Sequence, residues 1–222
     1  MKIFKSSKKA FSLIELMVVL GLVGLLMAFA APNLFSLISS NSLTGEGTVL
    51  QNQLTLAQQL AVSKSSDVEI RFFRTADASA AQTVKLFRAY QLYQYNQEGE
   101  LVPVSNFFRI RPPVAVSEQL STLLDTGETG DALDDKFGFI SPTSGQALAP
   151  SGAGGSMQTT DYVSFRFRPD GSTDLPFRSN EGDDTWYITL VQGEGAAETA
   201  DPDNYVCLQV NSYNGKVSVY RP

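Results

Sequence analysis

The feature that most constrains this chain is a run of predominantly apolar residues at positions 11–31, which contains a single charge, Glu15. At 1.5 Å per residue, a helix over these 21 residues spans roughly 30 Å, the thickness of the hydrocarbon core of a bilayer. A carboxylate placed in such a helix costs on the order of 2.5–3.5 kcal/mol, so it needs a partner or a function. We therefore expect a transmembrane helix and take Glu15 as the first candidate functional residue.

The residues before this run predict its orientation. Residues 1–10 contain four lysines and no acid, which by the positive-inside rule keeps the N-terminus in the cytoplasm and sends the remaining chain across the membrane. A cleaved secretory signal peptide is the alternative, because Ala28, Ala30 and Ala31 supply small residues at the far end of the run.

The order Lys-Lys-Ala, Phe-Ser-Leu-Ile-Glu-Leu at residues 8–16 resembles the N-terminal signature of type IV pilins and type II secretion pseudopilins. The resemblance implies cleavage by a prepilin peptidase between Ala10 and Phe11, and N-methylation of Phe11. It also implies that Glu15 offsets the N-terminal amine of a neighbouring pilin or pseudopilin during filament assembly. The family usually has Gly where this chain has Ala10, and Ala is small enough for cleavage to remain the expectation. The alternative is a plain signal anchor with Glu15 near the membrane surface.

Composition excludes several classes of function. Removal of residues 1–10 leaves 13 basic and 23 acidic residues, a net charge of −10, which opposes nucleic-acid binding. The chain has no histidine, which removes the common acid–base pairs and histidine metal ligands. Cys207 is the only cysteine, so no intramolecular disulfide can form, and we read it as a structural thiol. We predict neither an enzyme nor a cofactor.

The spacing of apolar residues predicts how the chain continues after the membrane. We expect a cleaved leader at 1–10, a transmembrane and assembly helix at 11–38 with a kink near Pro32, and an amphipathic stem helix at 39–65. Leu50, Leu54, Ala57 and Ala61 recur at helical spacing and should pack on a sheet.

From residue 66 onward the apolar period changes from helical to alternating, which is typical of strands. The resulting fold class is α+β, a pilin-like fold in which a long N-terminal helix packs on an antiparallel β-sheet domain at 66–222. A short helix capped by Ser117 is expected at 117–124, within a loop-rich insertion at about 113–160 where residues 137–140 are the one plausible strand. The predicted strands lie at 68–72, 84–95, 101–110, 163–167, 186–191, 205–210 and 216–220.

The sequence Phe-Arg-Phe-Arg-Pro-Asp-Gly-Ser at residues 165–172 resembles the Pro-Asp-Gly hairpin of GspH/FimT-like minor pseudopilins. The insertion and the Phe-rich strands also resemble the pilin-like component D of the Verru_Chthon gene cassettes.

Acidic loops offer a candidate calcium site. Asp170, Ser172, Asp174 and Glu181 follow the spacing of an EF-hand loop, but Leu175 occupies the position that requires Gly. A second group of carboxylates consists of Asp183, Asp184, Asp201 and Asp203. Solvated turn carboxylates explain both groups, so we assign no metal.

The sequence thus predicts a minor pseudopilin or pilin-like structural subunit, held in the inner membrane with its C-terminal domain in the periplasm until it enters a type II secretion or type IV pilus-like filament. Three alternatives remain. One is a FimT-like DNA-binding minor pilin that uses Lys216 and Arg221, one is an anchored extracytoplasmic domain that does not assemble, and one is an anchored metal-dependent enzyme.

Overall fold

A long α-helix and ten β-strands make up the computed structural model, which describes residues 12–76, 85–96, 98–124, 142–151, 156–176, 185–192, 202 and 204–221. The helix, α1, is assigned to Leu13–Lys64. The chain divides into two units, residues 1–39 and residues 40–222. Pro32 lies within the assigned helix, and the kink expected there stays a prediction.

Within residues 40–222 the described strands form two antiparallel sheets. The larger sheet has the strand order β3-β2-β1-β7-β6, with β4 also paired to β2, and the smaller sheet has the order β10-β9-β8-β5. This arrangement confirms the predicted α+β class. The strands are β1 (Val68–Ala76), β2 (Lys85–Tyr95), β3 (Leu101–Pro103), β4 (Phe108–Arg109), β5 (Val114–Ser117), β6 (Thr143–Ser151), β7 (Ser156–Phe167), β8 (Thr185–Gln192), β9 (Tyr205–Asn211) and β10 (Val217–Tyr220).

One face of α1 forms the centre of the main core. Leu50, Leu54, Ala57 and Ala61 are fully buried, which confirms the predicted apolar stripe, and Leu43 extends it by two turns. The stripe shares one hydrophobic cluster with side chains from both sheets, among them Phe72, Phe165, Phe167, Trp186 and Leu208. These aromatic residues of the strands are therefore part of the core.

The opposite face of the larger sheet carries a buried charge. Glu69 is 4% exposed, and its carboxylate pairs with Arg71 at 2.6 Å and with Arg166 at 3.4 Å. The guanidinium of Arg71 lies over the rings of Tyr93 and Tyr162, at 4.6 and 4.3 Å from their centroids. Burial removes water from the Glu69 carboxylate, and the two guanidinium groups replace the lost hydration. These charged and aromatic side chains cover the face of the larger sheet that is opposite α1.

Two predicted elements before residue 125 differ from the structure. The strand expected at 101–110 is split into β3 and β4, because the Ser105 side chain replaces a strand partner and accepts a hydrogen bond from the Leu92 amide at 2.9 Å. The capped helix expected at 117–124 is wrong: Ser117 ends β5, and its hydroxyl accepts from the Leu120 amide before a short 3-10 helix at Thr122–Leu124.

The prediction of a loop-rich insertion at 113–160 is wrong where β5, β6 and the start of β7 lie inside it, and residues 125–141 and 152–155 of this range lie outside the described residues. β6 pairs with β7 through nine residue pairs. The ring of Tyr162 lies against its Gly145, where a Cβ would meet the Tyr162 hydroxyl at 2.7 Å. The expected strand at 137–140 lies outside the described residues.

Two leucines on α1 test how far the stripe stabilises the domain. Leu54 is fully buried and Leu56 is 40% exposed. Leu54→Ala should lower the free energy of unfolding by about 3 kcal/mol through lost burial and a cavity, whereas Leu56→Ala should change it by less than about 0.5 kcal/mol. Urea unfolding of the full chain, followed by the fluorescence of the buried Trp186, measures both. Equal effects of the two variants would contradict the assigned packing.

The reactivity of the Cys207 thiol tests how far β9 is buried in the folded domain. It lies on β9 between the buried Val206 and Leu208, as predicted, and burial raises the pKa of its thiol while a hydrogen bond involving Thr189 lowers it by less. Because the thiolate is the reactive form, iodoacetamide should label the folded chain more slowly than the urea-unfolded chain near pH 8.5. A thiol pKa raised by folding also favours the folded state below the unfolded value of about 8.5. That contribution is lost as pH rises through the folded value. Equal labelling rates for folded and unfolded chain would refute the half-buried position.

Candidate assembly site at the start of the helix

Glu15 lies in the first turn of α1. The Ser12 hydroxyl accepts a hydrogen bond from the Glu15 amide at 3.2 Å, and the Ser12 carbonyl accepts one from the Leu16 amide at 3.2 Å. Ser12 is therefore the N-cap, and Ser-x-x-Glu has the spacing of a capping box. A negative charge at this position is also favoured by the partial positive charge of the helix N-terminus.

The side chains around Glu15 are apolar and exposed. Ile14 is 72% exposed, Leu16 55% and Met17 65%, and the same character continues to Met27 at 67%. Among the residues that the structure describes, no cation lies within ion-pair distance of Glu15. Within the described residues, the site is thus one carboxylate on an apolar helical surface.

Small residues leave space along the same part of the helix. A Cβ built at Gly21 or Gly24 would meet no atom within 4 Å in the described part of the chain. Gly24 and Ala28 are four residues apart, the small-xxx-small spacing that lets two helix backbones approach closely.

Several predicted features of this region are not described by the structure. Ala10 and Phe11, the predicted processing residues, lie outside the described residues.

Within the described part of the chain, no helix combines the length and the apolar character needed to cross a membrane.

The acidic turn at 170–174 uses its carboxylates for contacts within the protein. Asp170 accepts hydrogen bonds from the Ser172 amide at 2.9 Å and the Ser172 hydroxyl at 2.6 Å, which lower the pKa of the Asp170 carboxyl. Asp174 accepts a hydrogen bond from the Arg166 amide at 2.7 Å.

No group of three His, Cys, Asp or Glu residues that could hold a metal occurs within the described ranges. The remaining calcium candidates, Glu181, Asp183, Asp184, Asp201 and Asp203, lie outside them.

Gln58 on α1 forms hydrogen bonds with two turns, a role that sequence analysis missed. Its side-chain amide donates to the Gly171 carbonyl at 2.9 Å and to the Asn214 carbonyl at 2.7 Å. Gly215 has φ +64°, and a Cβ there would collide with the Gly171 carbonyl and the Gln58 amide. The Pro-Asp-Gly turn and the Asn-Gly turn therefore meet at one point of α1.

The two basic residues of the DNA-binding alternative occupy opposite ends of β10. Lys216 follows the Asn-Gly turn, and the guanidinium of Arg221 donates to the Thr44 hydroxyl on α1. Their separation along the strand gives this alternative no support.

Comparison with known proteins bears on the N-terminal signature. Residues 5–31 match the family model described as the prokaryotic N-terminal methylation motif. No curated protein matches the chain. The solved minor pseudopilin EpsH from the type 2 secretion system of Vibrio cholerae matches with a TM-score of 0.41 and 9% identity, over 82% of this chain and 98% of that chain. At this TM-score the likeness carries no conclusion about the chain. The signature itself is confirmed: this chain carries a prokaryotic N-terminal methylation motif, which together with its helix and antiparallel sheets supports a pilin-like subunit.

Proposed function

We propose that the chain is a minor pseudopilin or pilin-like structural subunit that a prepilin peptidase cleaves between Ala10 and Phe11 and methylates on Phe11. After processing it assembles through its N-terminal helix into a type II secretion or type IV pilus-like filament. The observation that carries the proposal is the methylation motif at residues 5–31, which includes both processing residues and Glu15.

The charge of Glu15 gives the assembly step a physical basis. Cleavage before Phe11 frees an amine, and the amine of one subunit supplies the cation that Glu15 of its neighbour lacks. Opposite charges attract far more strongly in a low-dielectric layer than in water, so this pairing both stabilises the contact and fixes the axial offset of the two helices. The exposure of Glu15 and the absence of a nearby cation within the described residues are consistent with this role.

The apolar surface of residues 13–27 supplies the remaining contact area. Membrane-embedded helices associate through packing and small residues rather than through the hydrophobic effect. Gly21, Gly24 and Ala28 offer the open positions that such packing needs. The proposed partners are accordingly the prepilin peptidase and the helices of other pilins or pseudopilins.

The proposed location follows from the same segment. Before assembly, the helix lies in the inner membrane with the lysine-rich leader in the cytoplasm and residues 66–222 in the periplasm. Neither the acidic mature chain nor the separated Lys216 and Arg221 favours a nucleic-acid partner.

Substitution of Glu15 tests the assembly step. In the native host, Glu15→Gln should reduce incorporation into filaments by about tenfold or more, since the lost charge pair lies in a low-dielectric layer. Membrane fractionation should show unchanged insertion. Glu98→Gln, the same change at an exposed turn residue, is the matched control and should assemble normally. Wild-type incorporation of the Glu15→Gln variant in sheared-filament fractions would refute the role of this carboxylate.

A further inference from the structure

A cleft opens in the larger sheet where β1 and β7 stop pairing. These strands are paired only between residues 68–73 and residues 162–167. Next to the last pair, the register of β1 against β2 shifts between Phe73 and Arg74. A bulge of this kind bends its strand and re-aims the following side chains. Beyond it, β1 continues along β2 while the first half of β7 pairs with β6.

The cleft is small and cationic. It has a volume of about 30 Å³, more than the 10–15 Å³ that a single water needs, so it has room for a group of a few heavy atoms. Between two of its lining residues, the Thr160 hydroxyl donates to the Arg74 carbonyl. The described residues that line it include no carboxylate; among them are Arg74, Thr75, Lys85, Pro150, Gln158 and Thr160.

Its two cations retain capacity to bind an anion. One terminal nitrogen of Arg74 pairs with Glu118, and the guanidinium lies over Phe87 at 5.0 Å. The Nε of Arg74 is buried and has no acceptor among the described residues. Lys85 is exposed and has no ion-pair partner in that part of the chain. Lys85 therefore supplies a positive charge without an ion-pair partner among the described residues, in a chain of net charge −6.

Two exposed apolar side chains border the cleft. Leu148 is 62% exposed and Met157 is 57% exposed. The strand partner of Leu148 is Thr159 and that of Met157 is Pro150, and both partners line the cleft. Exposed apolar side chains that adjoin a polar site are typical of surfaces that bind another protein, and methionine adapts readily to a partner's shape.

We propose that this cleft, together with Leu148 and Met157, binds a segment of another protein in which a carboxylate stands next to apolar side chains. The carboxylate enters between β1 and β7 and meets Lys85 and Arg74, while the neighbouring apolar side chains cover Leu148 and Met157. Charge complementarity commits the site to an acidic segment. This inference is independent of cleavage at Phe11 and of filament assembly.

A defined peptide pair tests the proposal with the full chain in detergent micelles. The probes are fluorescently labelled, end-capped Ala-Leu-Glu-Leu-Ala and its glutamine counterpart, and the readout is fluorescence anisotropy. The glutamate peptide should bind saturably and at least about threefold more tightly than the glutamine peptide, within the range of exposed ion pairs. Raising NaCl from about 50 to about 500 mM should remove most of this difference.

Matched variants locate the binding. Lys85→Gln should weaken binding of the glutamate peptide about threefold, whereas Lys216→Gln, at an exposed lysine away from the cleft, should leave it unchanged. Leu148→Ser combined with Met157→Ser should weaken binding of both peptides. Unchanged Trp186 fluorescence confirms that each variant is folded.

Three results would overturn the proposal. One is equal affinity for the two peptides, and another is an equal loss in Lys85→Gln and Lys216→Gln. The third is displacement of the peptide by acetate alone combined with no effect of the two serine substitutions, which would assign the cleft to a small free anion.

Discussion

The buried stripe of α1 is the constraint on which the domain depends. Leu50, Leu54, Ala57 and Ala61 repeat at helical spacing, and each is fully buried in a core that contains strands of both sheets. The stripe gives side chains from both sheets a shared apolar surface to pack on. Gly47 lets α1 and β9 approach each other closely, because a Cβ there would meet Val206 of β9 at 2.8 Å. The hydrogen bonds from Gln58 to two turns then fix where the ends of the strands meet the helix.

The same helix begins with a surface of the opposite kind. Residues 13–27 expose large apolar side chains, and Glu15 is the one charge among them. Such a surface is costly in water, and such a charge is costly in a membrane. Both costs are offset if the helices of neighbouring subunits pack side by side and the N-terminal amine of one subunit pairs with Glu15 of the next. In the proposed function, cleavage before Phe11 supplies that amine, so the processing step would prepare the subunit for assembly.

The spacing of apolar residues predicted those helices and strands whose positions are marked by large buried side chains. The helical stripe, the alternating residues of β7 and strands β8 and β9 were predicted close to their observed positions because large apolar residues mark their buried faces. β10 was also predicted close to its observed position, although none of its residues is buried. β6 was missed because Ser, Gly and Ala dominate it, and its strand conformation comes from pairing with β7. Gln58 and the cleft beside Lys85 were beyond prediction for a related reason: each depends on residues far apart in sequence that only the fold brings together.

The mass of the mature N-terminus tests the central claim most directly. Protein purified from membranes of the native host is digested, and its N-terminal peptide is sequenced by mass spectrometry. The account predicts that the peptide begins at Phe11 and that its terminal amine carries a methyl group. A chain that still begins at Met1, or that is cleaved after residues 28–31 as a secretory signal would be, would contradict it.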